Sequence, residues 1–182
     1  MSKIFMPVLF ICLTFFFCNS NTAEEYFSRA VLNCNLLYGF AGYELKRDLA
    51  SPSEKLVDEK TMATAPMTRA EVVKNKLEAI ENNFEKVKAL KVTDDTKEML
   101  NASTTLYEFV LPVYKNEYKQ LAALHDNGEP IQKIEAAEKN ITDKYEARFS
   151  QLYEALQLAG KNYAVKNGIR IREVNPSPPK IK

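Results

Sequence analysis

From Glu129 to Gly168 apolar residues return at helical steps. Ile131, Ile134, Ile141, Tyr145, Phe149, Leu152, Leu156, Ala159 and Tyr163 are spaced by three, four or seven, which draws one stripe along an α-helix. Pro130 suits the first helical turn, where a missing N–H costs nothing, and Asn167-Gly168 supplies a left-handed stop. At 1.5 Å per residue the segment is about 55 Å long. A rod of that length must cover its stripe with other helices.

Three further stripes offer that cover. Phe27, Val31, Cys34, Tyr38, Ala41 and Leu45 predict a first helix over 22–48, with Glu24 and Glu25 at its start and Lys46 and Arg47 at its end to complement the dipole. Gly39 and Gly42 weaken it by about 1 kcal/mol each relative to Ala. Thr68-Arg69-Ala70-Glu71 has the form of a capping box and leads into Val72, Val73, Leu77, Ile80, Phe84, Val87 and Leu90. Thr93-Asp94-Asp95 ends that helix and opens the next, with Asp95 as cap and Glu98 as first-turn acid. The next stripe holds Met99, Leu106, Phe109, Val110, Val113, Tyr114, Leu121 and Leu124 and closes at Asn127-Gly128, and Pro112 inside it must remove a hydrogen bond and bend the rod.

Between the first two stripes, Ser51-Pro52-Ser53-Glu54 reads as another capping box with a short helix to Lys60, and 61–67 as an irregular connector. Together these elements predict an all-α domain, an antiparallel up-down-up-down four-helix bundle over 22–168 with a long connector between helices one and two. That order puts the start of the bundle, its end and the turn near Thr93 at one end, with 49–67 and Asn127-Gly128-Glu129 at the other. Residues 169–182, with Pro176, Pro178 and Pro179, read as an extended tail.

The first residues follow a different pattern. Ile4 to Cys18 is almost wholly apolar, preceded by Lys3 and followed by Asn19-Ser20-Asn21-Thr22. This run is too short to span a bilayer comfortably and fits a signal peptide over 1–18, so export to the outer membrane, cell surface or periplasm is expected. Cleavage before Cys18 would leave that residue for lipidation and anchor the protein to the membrane, although Phe17 is bulky for such a site. Cleavage near Ser20 or Ala23 would release the chain instead. Cys34 then has no partner and reads as a small buried hydrophobe.

Composition excludes more than it selects. The 182 residues carry 25 Lys+Arg against 24 Asp+Glu, interspersed, so nothing draws the chain to a phosphate backbone and no nucleic-acid partner is expected. The single histidine, His125, cannot build two Glu-x-x-His motifs, and Cys-x-x-Cys-His, glycine-rich phosphate loops and nucleophile elbows are missing. The expectation is a protein with no cofactor, no metal and no enzymatic activity. Tyr107, Tyr114 and Tyr118 fall close to one face with Glu108 and Glu117 nearby. They either line a pocket for a small apolar ligand or pack against the long helix.

That run, with Tyr114, Asn116-Glu117-Tyr118, Phe149 and the segment Leu156 to Gly168 ending in Lys166-Asn167-Gly168, resembles an uncharacterised family of predicted spirochaetal surface proteins. The similarity spans residues 70–171 and implies an exported, helical envelope or surface protein, with no catalytic residues to carry over. The leading expectation is a non-enzymatic envelope protein, a lipoprotein if Cys18 is acylated, whose partner is another protein or an envelope component. The alternative is a small-ligand carrier.

Overall fold

Capping boxes set two helix starts. The Thr22 hydroxyl accepts the Glu25 N–H at 3.2 Å while the Glu25 carboxylate accepts the Thr22 N–H at 2.9 Å. The same exchange joins Thr68 and Glu71 at 3.1 and 2.8 Å, as the sequence predicts. The structure is a computed structural model and describes residues 21–171. Residues 1–20, which hold Cys18 and the expected signal peptide, and residues 172–182 of the expected tail lie outside the described residues.

The chain is mostly helical. It forms α1 (Ala23–Ala30), a 3-10 segment (Leu32–Leu37), α2 (Tyr43–Ala50), strands β1 (Glu54–Asp58) and β2 (Ala63–Pro66), α3 (Arg69–Lys88), α4 (Lys97–Val113), a π turn (Tyr114–Tyr118), α5 (Lys119–Asp126) and α6 (Ile131–Lys166). The long helix is 36 residues and ends as predicted. Gly168, at φ 68°, lets the Ile169 N–H reach back to the Ala164 carbonyl at 2.9 Å, a Schellman closure. Gly128, at φ 65°, closes α5 in the same way through the Glu129 N–H and Leu124 carbonyl.

Three expectations are corrected. The first helix is not continuous: a turn holding Gly39 at φ 74° and Ala41 at φ 60° divides it, because Phe40 leaves the helical path and enters the core. No short helix follows Ser51. Glu54 instead opens an antiparallel hairpin, in which Glu54 faces Pro66 and Leu56 faces Thr64, with a bulge between Leu56 and Asp58. Asp58 turns the chain by accepting the Lys60 and Thr61 N–H groups at 2.8 and 3.3 Å. Asp95 does not cap α4, since its carboxylate is drawn to Lys166 and Asn167 at 2.5 and 3.1 Å. The Thr93 hydroxyl accepts the Thr96 N–H at 3.3 Å in its place.

The core lies between α6 and α4, with α3 packed on α4 and α5, and α1 against α6, α3 and α4. Ile80, Leu106, Val110, Leu121 and Leu156 are buried in it. Gly160 lets α1 approach closely, for a Cβ there would stand 2.7 Å from Val31 Cγ2. At one end Tyr26 donates to the Lys91 carbonyl at 3.1 Å, near the Asp95–Lys166 pair. At the other the Asp126 carboxylate accepts the Arg69 and Ala70 N–H groups at 2.8 and 2.9 Å, a cap on α3 supplied by α5. Among the described residues no helix is long and apolar enough to cross a membrane.

Candidate functional site

Pro112 lies at the end of α4, where it leaves the carbonyl four residues earlier without its helical donor, and a wider π turn follows. Asn116 Nδ2 donates to the Pro112 carbonyl at 2.9 Å. Both tyrosines of that turn point inward, so Tyr107, Tyr114 and Tyr118 are all buried and line neither of the two cavities described here. Tyr107 stacks on Phe84 at 5.3 Å, and the Tyr114 and Tyr118 centroids are 4.3 Å apart. Their rings take the packing role, and burial pushes all three phenol groups well above the ordinary tyrosine range.

Tyr118 has a task that spacing did not suggest. Its hydroxyl accepts the Ala41 N–H at 2.8 Å, and its ring stacks on Phe40 at 5.5 Å with only 10° between the planes. Thr142 of α6 donates to the Ala41 carbonyl at 2.6 Å. The left-handed alanine is therefore tied at both its backbone groups, a conformation that persists only when its surroundings over-determine it. Phe40 also meets Phe149 at 4.9 Å and Tyr114 at 5.8 Å.

Pinning this turn against α6 leaves a groove on its outer side. The cavity has a volume of about 390 Å³ and is lined by Tyr38, Phe40, Tyr43, Phe149 and Tyr153, with Glu44, Glu146 and Glu154 among them. Tyr38 is 60% exposed and Tyr43 73% exposed. The Tyr38 and Tyr153 rings are 6.4 Å apart, and the Tyr153 hydroxyl donates to Asn35 Oδ1 at 3.0 Å. Glu44 is paired with Arg47. The sequence signal for this site was the pair Gly39 and Gly42, which marks a sharp turn as readily as a weak helix.

The remaining chemistry-bearing side chains are tied up elsewhere. Cys34 is a free, buried thiol that donates to the Ala30 carbonyl at 3.2 Å and lies 3.7 Å from the Ser103 hydroxyl. Burial raises its pKa, which keeps it protonated and unreactive. His125 sits on the last turn of α5 with Nε2 3.7 Å from Glu138 Oε1, and Lys46 Nζ approaches the other Glu138 oxygen at 3.8 Å. Burial alone would raise Glu117, but the Tyr145 hydroxyl and Lys144 outweigh it and hold its carboxyl below the usual range. Glu108 is exposed and takes no part in this contact.

A second, smaller cavity of about 140 Å³ lies beside Asp94, Asp95, Glu98 and Lys166. Among the described residues no group of three or more His, Cys, Asp or Glu side chains is arranged to hold a metal ion. No family model matches the chain, and comparison with curated proteins and with solved structures finds no match either.

Proposed function

We infer that the chain is an exported, non-enzymatic envelope or surface protein that binds another protein or an envelope component, anchored as a lipoprotein if Cys18 is acylated. The hairpin carries this reading. Its two strands have open edges, and Leu56, Val57 and Met62 hold their side chains 47%, 56% and 69% exposed. A two-stranded sheet is marginal alone, and an open apolar edge is suited to pairing with an extended segment of a partner. Lys55 grips Glu71 at the foot of α3, so the hairpin is held at its base and offered at its tip.

The apolar leader and the resemblance to surface proteins support export. The contacts at the two ends support the finer architecture, an up-down-up-down four-helix bundle in which α4, the π turn and α5 count as one member. In that arrangement the chain leaves its leader at the end holding Tyr26, Lys91 and Asp95, and the hairpin faces away. The test has two parts. Mass spectrometry of the mature protein should find an acylated Cys18, or a free start near Asn21 or Glu24. Capture from intact cells should recover a partner with the native chain and lose it when Leu56, Val57 and Met62 are all replaced by Ser. Retention of an uncleaved chain, or a partner indifferent to the three serines, would sink the reading.

A further inference from the structure

We propose that the lateral groove between the 38–44 turn and α6 is a binding site for an organic cation, an alkylammonium or quaternary ammonium group. It is separate from the hairpin, and it stands whether or not the hairpin engages a partner.

Two properties of the lining select this ligand. Five of its residues are aromatic, and three of them adjoin in a row: Tyr38 to Tyr153 at 6.4 Å and Phe149 to Tyr153 at 5.6 Å. Aromatic faces attract a cation through the ring quadrupole, and several rings around one alkylammonium group form the arrangement that recognises it. The charge of the lining is wholly negative. Glu44, Glu146 and Glu154 belong to it, and no Lys, Arg or His among the described residues does. Arg47 neutralises Glu44, but Glu146 and Glu154 have no ion-pair partner among the described residues, which leaves two carboxylates uncompensated beside the rings.

Space and rigidity agree. A volume of about 390 Å³ falls in the range of small-ligand sites, about 300–1,000 Å³. The rim at Gly42 passes close to one of these carboxylates, since a Cβ there would stand 3.3 Å from Glu146 Oε1. The turn that presents Tyr38 and Tyr43 is fixed from beneath by Tyr118 and Thr142, so little ordering remains to oppose binding. An anion would meet carboxylates, and a neutral apolar molecule would gain nothing from them.

The experiment titrates the purified protein with choline, with the uncharged carbon analogue of choline, and with acetate, followed by the ring resonances of the tyrosines. Choline should bind in the millimolar range, about tenfold more tightly than its neutral analogue, and acetate should not bind. Glu146→Gln with Glu154→Gln changes two exposed side chains. The pair should weaken choline at least threefold while leaving the unfolding midpoint unchanged. Tyr43→Leu, also at an exposed ring, should weaken it as well. Blocked lysine binding more tightly than choline would assign the cation to a protein side chain, and the reverse order to a free quaternary ammonium compound. Equal binding of choline and its neutral analogue, no binding of either cation, or an affinity untouched by the two glutamines would overturn the proposal.

Discussion

Replacing Tyr118 by Phe isolates one of the two side-chain hydrogen bonds that tie Ala41 in the groove's turn. The ring survives the change, so its 5.5 Å stacking on Phe40 is retained, and only the hydroxyl that accepts the Ala41 N–H at 2.8 Å is lost. Ala41 is 1% exposed, so water does not replace the acceptor. A buried donor left without a partner costs about 1–3 kcal/mol, and about 2 is a fair central value. With a urea m-value of about 2 kcal/mol/M for a domain of this size, the midpoint should fall by about 1 M. Urea unfolding followed by far-ultraviolet circular dichroism measures this, provided the slope is unchanged. Ala41→Gly is the companion. It relieves about 1–2 kcal/mol of left-handed strain at φ 60° and adds about 0.5–1 kcal/mol of unfolded-state entropy, so it should be neutral to slightly stabilising. A Tyr118→Phe protein that unfolds within about 0.3 M of the native midpoint would refute the clamp.

Gly160→Ala should destabilise although it improves helix propensity by about 1 kcal/mol, because its Cβ would press on the buried, β-branched Val31, and overpacking costs about 1–3 kcal/mol. A raised midpoint would contradict this close approach. Leu156→Ala removes a side chain at 0% exposure and should cost about 2–5 kcal/mol by the same assay; a cost under about 1 kcal/mol would mean that α6 is not the centre of the core. Acid should unfold the protein through carboxyls held below their ordinary range. At Asp48 burial opposes ionisation but Lys76 and Arg47 outweigh it, and at Asp95 Lys166 and Asn167 lower the pKa. Groups lowered in the folded state contribute stability fully above the unfolded value, near pH 4, and lose it as pH falls through the folded one. Stability should therefore be flat from about pH 7 to 5 and fall below about 4, less steeply in Asp95→Asn; a rise between about pH 5 and 3 would reverse the sign.

The long helices were legible because one buried side repeats without interruption. In α6, Ile134, Ile141, Phe149, Leu156 and Tyr163 are buried at steps of seven or eight, and no tertiary contact competes with that period. The first stripe failed for the opposite reason. Tyr38 and Ala41 keep helical spacing in the sequence, yet Tyr38 is 60% exposed and the residue between them that is buried is Phe40. A ring that can enter a cluster with Phe109, Tyr114, Tyr118 and Phe149 outweighs the few hydrogen bonds of two more helical turns, and Gly39 makes the detour cheap. Ser51-Pro52-Ser53-Glu54 misled because a capping box and a strand start share those residues. Asp58, which accepts two N–H groups at the hairpin tip, was the local sign of the turn.

The groove itself was out of reach of any local pattern, since its walls come from residues 38–44 and 146–154. Of the two roles open to the tyrosine run, lining a pocket or packing, its rings take the second. A wider turn follows Pro112, Tyr114 and Tyr118 of that turn are buried against Phe40, and Tyr118 in turn fixes Ala41 in a conformation that an alanine does not hold unaided. Each step is a packing event, and the last opens a surface between two exposed tyrosines and two carboxylates that have no ion-pair partner among the described residues. The buried aromatic run does not itself bind anything on this account; it shapes, from beneath, the place where binding is proposed.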